Sequence, residues 1–384
     1  RLLGKYPGLA DAAVTAADGK EDDTMAQVTA SVTAPVLFCY VKSVLESAAD
    51  SGIKKLYFLA RDGYIMKAAA DAIIEASGYD IKTSYLYVSR YALRNALYYK
   101  CSTAEDFEKA GFFGHCAVQS AENTLKRAGI DKEERKEVYK RIGFDGDESK
   151  IMSDGEFDRF CELLKDDKTL FDAIRERSAE KYEALIAYLR QNGFFDNQRF
   201  AVVDSGWLGS VQKTLTQLTD GMIKRGGIVG YYFGLYRKKD DNYRSFLFDI
   251  SDAHRYVPTF CNNLFECFCS APHGMTIGYE EKGGEAVPVL KQENKTVSDM
   301  ADKQTDIVRR FSYAACKDGY RLSVKSARKL CAKLLKALMY KPDYDEAKAL
   351  GAFPFCDDAT ETELTCLAED CKNSIGNILF FNRL

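Results

Sequence analysis

Two apolar runs, each followed by a turn of small and polar residues and then by a helical repeat, constrain this chain most. Lys55-Leu56-Tyr57-Phe58-Leu59-Ala60 is continuous rather than alternating, as expected of a strand buried on both faces. Arg61-Asp62-Gly63 interrupts it, and Ile65, Met66, Ala69, Ile73 and Ile74 then recur at helical spacing up to Gly78. A second strand follows at Ser84-Tyr85-Leu86-Tyr87-Val88 and ends in Ser89-Arg90. Strand, helix and strand in so short a span make a βαβ unit, whose right-handed crossover sets the strands parallel. The pattern recurs at Phe200-Ala201-Val202-Val203-Asp204, a turn Ser205-Gly206-Trp207-Leu208-Gly209-Ser210, a helix through Val211, Leu215 and Leu218, and a strand at 228–234. Two such units predict an α/β fold with an open, mostly parallel, Rossmann-like sheet that binds ligands at the carboxyl ends of its strands.

The chain has 384 residues, 46% apolar and 29% charged, enough for two or three domains and unlike a disordered or fibrous protein. Residues 1–24 are small and polar and read as a linker or frayed start. A helix is expected from Pro35 through Val36, Val41, Val44 and Leu45, with Gly52 as its stop. Residues 25–290 then form the α/β core, with a helical insertion at about 100–195. In that insertion Ser102-x-x-Glu105 and Ser153-x-x-Glu156 look like capping boxes, and a long helix from Thr169 stops at Gly193. Residues 291–384 read as a helical C-terminal domain, with an apolar stripe through Leu330, Leu334 and Leu338 and a lysine-rich opposite face. That basic face is expected to be solvated rather than to dock a partner.

Charge and cysteine usage exclude several functions. Lys plus Arg is 54 against 57 for Asp plus Glu, a net charge of −3, which argues against non-specific binding to nucleic acid. The twelve cysteines include no CxxC pair and there are three histidines, so no zinc-ligand spacing occurs. Free thiols in a reducing cytoplasm are the expectation. The longest unbroken apolar stretches run to about nine residues, against the ~20 of a membrane helix, so no transmembrane segment is expected. The chain begins at Arg1 and is expected to be a piece of a longer protein.

Both βαβ units place polar residues and glycines where a strand meets a helix N-terminus, whose N–H groups and dipole favour phosphate. In the second, Gly206 and Gly209 would let the backbone approach a ligand, Ser210 adds a hydroxyl, and Asp204 suits a sugar hydroxyl or magnesium. The glycine spacing is neither GxGxxG nor GxxxxGK[ST], and a tight turn with Asp204 as helix cap explains it as well. In the first unit Arg61 and Asp62 hold the equivalent edge, and Arg90 and Arg94 follow the next strand. Three arginines at neighbouring strand ends suggest a polyanion, against the plainer view of surface ion pairs. Glu266 and His273 sit among aromatics in Leu264-Phe265-Glu266-Cys267-Phe268-Cys269-Ser270-Ala271-Pro272-His273-Gly274, a setting that suits a general base or a buried structural pair equally.

Phe58-Leu59-Ala60-Arg61-Asp62-Gly63-Tyr64, Tyr87-Val88-Ser89-Arg90, Val203-Asp204-Ser205-Gly206-Trp207-Leu208-Gly209-Ser210 and Ser270-Ala271-Pro272-His273-Gly274 occur in that order. As an ordered set, over roughly residues 30–280, they resemble the phosphoribosyltransferase-like module that follows a haloacid-dehalogenase-like phosphatase domain in bacterial polysaccharide-biosynthesis proteins. The resemblance implies transfer of ribose 5-phosphate from phosphoribosyl pyrophosphate (PRPP) to a hydroxyl of a glycan acceptor, with magnesium as cofactor. It also implies a phosphatase partner in the same protein or operon; no DxDx(T/V) motif occurs in this chain. Ala60-Arg61-Asp62-Gly63 resembles the pyrophosphate loop of type I phosphoribosyltransferases. Asp204 to Ser210 resembles their phosphoribosyl loop, although Ser205 stands where a second acidic residue is usual and Trp207 is foreign to that loop.

On that resemblance the catalytic residues are Glu266 as base, His273 as its helper and Asp204. Arg61, Asp62, Gly63, Ser89, Arg90, Arg94, Ser205, Gly206, Trp207, Gly209 and Ser210 would bind substrate. Inversion would turn an α donor into a β-ribofuranosyl product. Two other classes remain in play: a nucleotide-sugar or dinucleotide enzyme on the same scaffold, and a non-catalytic phosphosugar-binding or scaffolding module of a glycan assembly complex. Against the first, no glycine fingerprint follows the first strand.

Overall fold

The computed structural model describes residues 2–20, 22–115, 119–224, 226–317, 319–355 and 365–368. Near the N-terminus the expected linker is instead ordered. Pro7 opens helix α1 (Pro7–Ala17), and Leu9, Ala12, Ala13 and Ala16 are buried. The run of small side chains that suggested a linker is what lets α1 lie close against a helix from the far end of the chain. Asp23 caps α2 (Thr24–Val28) by accepting from Ala26 N at 2.9 Å; a π-helical turn (Thr29–Thr33) joins it to α3 (Ala34–Asp50). The helix therefore starts eleven residues before Pro35, at Thr24. The widened turn falls just ahead of that proline, which cannot donate to the helical ladder.

Thr24–Asp50 is long and apolar enough to cross a membrane by length and composition. Most of that window, 78%, is buried inside the protein, so its apolar surface is spent on the core.

β1 (Lys55–Leu59), α4 (Gly63–Ser77) and β2 (Lys82–Leu86) form the first βαβ unit, and α5 (Arg90–Leu97) leads away from it. The insertion comprises α6 (Ala104–Lys109), α7 (Ala121–Lys126), α8 (Lys132–Ile142), α9 (Asp154–Lys165) and the first part of α10 (Lys168–Gln191). It has an aromatic core of its own around Phe107, Phe112, Phe157, Phe160 and Phe171. The Ser153–Glu156 box forms, with Glu156 accepting from the Ser153 amide at 2.9 Å. The first box is shifted by one residue, to Thr103 and Asp106. In α10, Leu185, Tyr188 and Leu189 return to cover the sheet.

The second unit is β3 (Phe200–Trp207), α11 (Ser210–Leu218) and β4 (Val229–Leu235), followed by β5 (Tyr243–Phe248). After it come α12 (Asn262–Phe268), an antiparallel hairpin β6 (Thr276–Lys282) and β7 (Glu285–Leu290), and helices α13 (Lys295–Lys317), α14 (Val324–Tyr340) and α15 (Tyr344–Gly351). The main sheet has five strands, all parallel, in the order β2-β1-β3-β4-β5. The chain leaves β1 towards β2 on one side and joins β3 on the other, so the strand order reverses at β1/β3, where such sheets bind ligands. Leu56, Phe58, Ala201 and Val203 face α3 and α4, while Tyr57, Leu59 and Val202 face α5, α10 and α11.

The described C-terminal helices share the core of the sheet, while residues 356–364 and 369–384 of the expected C-terminal domain lie outside the described residues. Ile307, Phe311, Leu330 and Leu334 belong to the same apolar core as α3 and α4, with Phe38 and Phe311 edge to face at 5.9 Å. The stripe that read as the seam of a helical domain is the surface with which α14 covers α3 and the sheet. Of the described cysteines, Cys39, Cys261, Cys267, Cys269, Cys316 and Cys331 are buried free thiols in or around this core.

Candidate active site

The β1–α4 junction is set by contact rather than by loop preference. A Cβ on Gly63 would lie 2.6 Å from the carbonyl carbon of Phe58, so only glycine lets α4 begin so close to the strand that feeds it. The Ala60–Arg61 peptide is cis. Asp62 precedes α4 without capping it; its carboxylate accepts instead from the hydroxyl of Ser205, on β3. That bond ties the two strand ends together across the switch point. Its partner Ser205, expected to touch substrate, is 2% exposed and serves the protein.

Asp204 precedes Ser205, and its backbone carbonyl lies 2.9 Å from the buried Tyr40 hydroxyl, which also reaches Tyr231 O at 2.8 Å. Burial, and then the charge of Asp62, hold the Asp204 carboxyl well above the usual carboxylate range. Burial raises Asp62 as well, against the opposing pull of the Ser205 hydroxyl, Arg61 and Arg90. Two carboxylates at adjoining strand ends, with the charge of Asp62 disfavouring that of Asp204, can share a proton or be relieved by a cation. Arg90 is exposed, bears on both, and has no ion pair among the described residues.

A third carboxylate joins them. Trp207, the last residue of β3, donates from Nε1 to Glu266 Oε1 at 2.5 Å, and the charge of Glu266 reaches Asp204. The indole is wedged among Tyr236, Phe260 and Phe265. Trp207 therefore orients the Glu266 carboxylate. Burial pushes the neighbouring thiols of Cys267 and Cys269 up, which leaves them protonated and inert.

His273 lies beside the same edge, surrounded by Tyr64, Tyr85 and Tyr87. Its Nδ1 is 2.9 Å from Gly274 O, which can only accept, so the ring proton sits there. Nε2 then accepts from the Tyr85 hydroxyl at 2.8 Å. Burial, aided by Arg61, lowers the His273 pKa, consistent with a neutral ring. Both nitrogens have protein partners here, which suits positioning rather than proton sharing. Arg61 itself donates from Nη1 to Glu293 Oε2 at 2.9 Å.

Other expected contacts are answered by the protein. Ser89 caps α5, accepting from Ala92 N at 2.9 Å, and donates to Thr276 O at 2.6 Å. Gly206 has φ +138°, and a Cβ there would fall 1.9 Å from Gly234 O on β4. Gly209 has φ +66°, and a Cβ would meet the Tyr243 ring at 2.6 Å. Both glycines are thus required by neighbouring strands. Ser210 is exposed at the start of α11. Arg94 lies against Gly111 of the insertion instead of joining Arg61.

Tyr40, Tyr85 and Glu293 were not singled out by sequence. Tyr85 and Tyr87 alternate along one strand, a signal for a shared face; Glu293 sits in a polar loop with no motif. Among the described residues no group of three or more His, Cys, Asp or Glu is placed to hold a metal. Compared with known proteins, the chain matches no family model and no curated protein.

Proposed function

We propose that the chain is a PRPP-dependent glycan phosphoribosyltransferase, acting at the carboxyl ends of β1 and β3. The observation that carries this reading is the Asp62–Asp204 pair at the point where strand order reverses. Two carboxylates whose charged forms burial disfavours suit magnesium, which takes one or two carboxylates and fills its shell with water and substrate phosphate. Asp62 and Asp204 would hold it, and bound there it would neutralise charge on departing pyrophosphate.

The chain's own groups do the rest. Arg61 and Arg90 grip the leaving polyanion and Asp204 contacts the ribose hydroxyls. Glu266, oriented by Trp207, takes the proton of the acceptor hydroxyl as its oxygen bonds to the anomeric carbon and the bond to pyrophosphate breaks. His273 holds the Tyr85 edge in place. The acceptor is a glycan hydroxyl, and a haloacid-dehalogenase-like phosphatase removes the 5-phosphate afterwards.

The test is phosphorus NMR of the chain incubated with PRPP, magnesium and bacterial glycan acceptors. Acceptor-dependent release of pyrophosphate supports the reading. Stable donor with every acceptor, alongside binding to a glycan-assembly partner, would favour the scaffolding alternative.

A further inference from the structure

Beyond the carboxylate pair, the side of α5 that meets the insertion gathers positive charge, and neither Arg90 nor Arg94 has an ion pair among the described residues. Arg90 and Arg94 are one helical turn apart, and Tyr98 follows a turn later in the short 3-10 helix Tyr98–Lys100. The Arg94 guanidinium lies across Gly111, where a Cβ would be 3.2 Å from Nη2. Arg127 reaches the same turn, donating from Nη1 to Gly114 O at 3.3 Å, while Asn95 donates to the Arg127 carbonyl at 2.9 Å. Arg94 makes no hydrogen bond or ion pair among the described residues. The Tyr98 hydroxyl is likewise unpartnered, although the residue is 0% exposed and its ring stacks on Phe107.

The charges that bear on Arg94 are those of Arg127 and Arg90, both repulsive, with Tyr98 nearby and no carboxylate. A guanidinium cannot shed its proton, so withdrawing it from water beside two others is costly unless an anion is supplied. A buried hydroxyl without an acceptor adds to that cost. One ligand chemistry relieves both: an oxyanion that accepts from the guanidinium and from the phenol.

We propose that Arg90, Arg94 and Tyr98, backed by Gly111, bind an anionic oxygen group, a phosphate or a carboxylate, at a site separate from Asp62 and Asp204 and needing no metal. Arg90 also bears on the carboxylate pair, so the two sites adjoin. The anion site requires no particular reaction at the pair.

The intact chain is titrated calorimetrically with inorganic pyrophosphate, and separately with citrate, in buffer containing EDTA. Saturable binding of either is expected, and the tighter of the two tells whether the natural group is a phosphate or a carboxylate. Arg94→Gln should weaken it at least tenfold, and Tyr98→Phe, which removes only a hydroxyl, about threefold to tenfold. The proposal is overturned if neither anion binds. It is also overturned if folded Arg94→Gln and Tyr98→Phe bind as the wild type does, including the case where Arg61→Gln alone abolishes binding. Because magnesium is absent, these outcomes do not depend on donor binding at the carboxylate pair.

Discussion

Trp207 Nε1 donates to Glu266 Oε1 across 2.5 Å, joining the end of β3 to α12. The bond fixes one carboxylate oxygen of Glu266 beside Asp204 while the indole is held by Phe260 and Phe265. An acid–base group held by a rigid aromatic is positioned before substrate arrives.

Trp207→Phe keeps the ring packing and removes the donor. Transfer is expected to slow by about tenfold to a hundredfold with little change in donor affinity, because only the orientation of Glu266 is lost. Glu266→Gln should slow it by about a hundredfold or more, the usual span of general-base removal. Steady-state kinetics of both variants checks this, and full activity in Glu266→Gln would remove it from the role of base.

Asp204 has a raised pKa in the folded state, so the folded protein holds a proton that the unfolded chain releases near the ordinary value. The sign follows: its contribution to stability is complete below that ordinary value and is lost as pH rises through the folded-state value. In magnesium-free buffer Asp204→Asn should therefore be more stable than wild type at pH 8, by about 1 kcal/mol. The difference should fade towards pH 4. Urea unfolding at the two pH values measures it, and a variant less stable at pH 8 would contradict the cause assigned here.

Glu293 neutralises Arg61 at 2.9 Å. Glu293→Gln should remove one opposing charge from the guanidinium and tighten pyrophosphate binding about threefold to tenfold in magnesium buffer, whereas Arg61→Gln should weaken it at least tenfold. Calorimetry on both variants compares them directly. Weaker binding in Glu293→Gln would mean that the ion pair holds Arg61 in its binding position.

Gly206→Ala places a Cβ 1.9 Å from Gly234 O at φ +138°. The β3–β4 ladder would have to part there, at about 3 kcal/mol or more. Gly63→Ala, with 2.6 Å to the Phe58 backbone, should cost about 1–3 kcal/mol. Chemical denaturation midpoints rank the two.

The sheet was readable because strands buried on both faces are continuous apolar runs, as in Lys55–Leu59 and Phe200–Val203, and the helices between them carry a clear repeat. Helix α1 was missed because alanines at its contact face look like a linker until a partner helix is known. That the C-terminal helices pack onto α3 and the sheet was not readable, because an apolar stripe does not say what it covers. At the site, Asp62, Asp204 and Glu266 were visible as polar residues at strand ends or among aromatics. At Gly206 and Gly209 the sequence marked a close approach without showing that neighbouring strands make it, because a missing side chain does not say what comes near. Glu293 was invisible, since its partner Arg61 lies more than two hundred residues away in the chain.

The most direct measurement is calorimetric titration of the chain with PRPP, with and without magnesium, on wild type and on Asp204→Asn. Saturable binding that magnesium strengthens and the substitution weakens at least tenfold is the expected result. No binding by the wild type in either buffer, or equal binding by Asp204→Asn, would contradict a donor site at the Asp62–Asp204 pair.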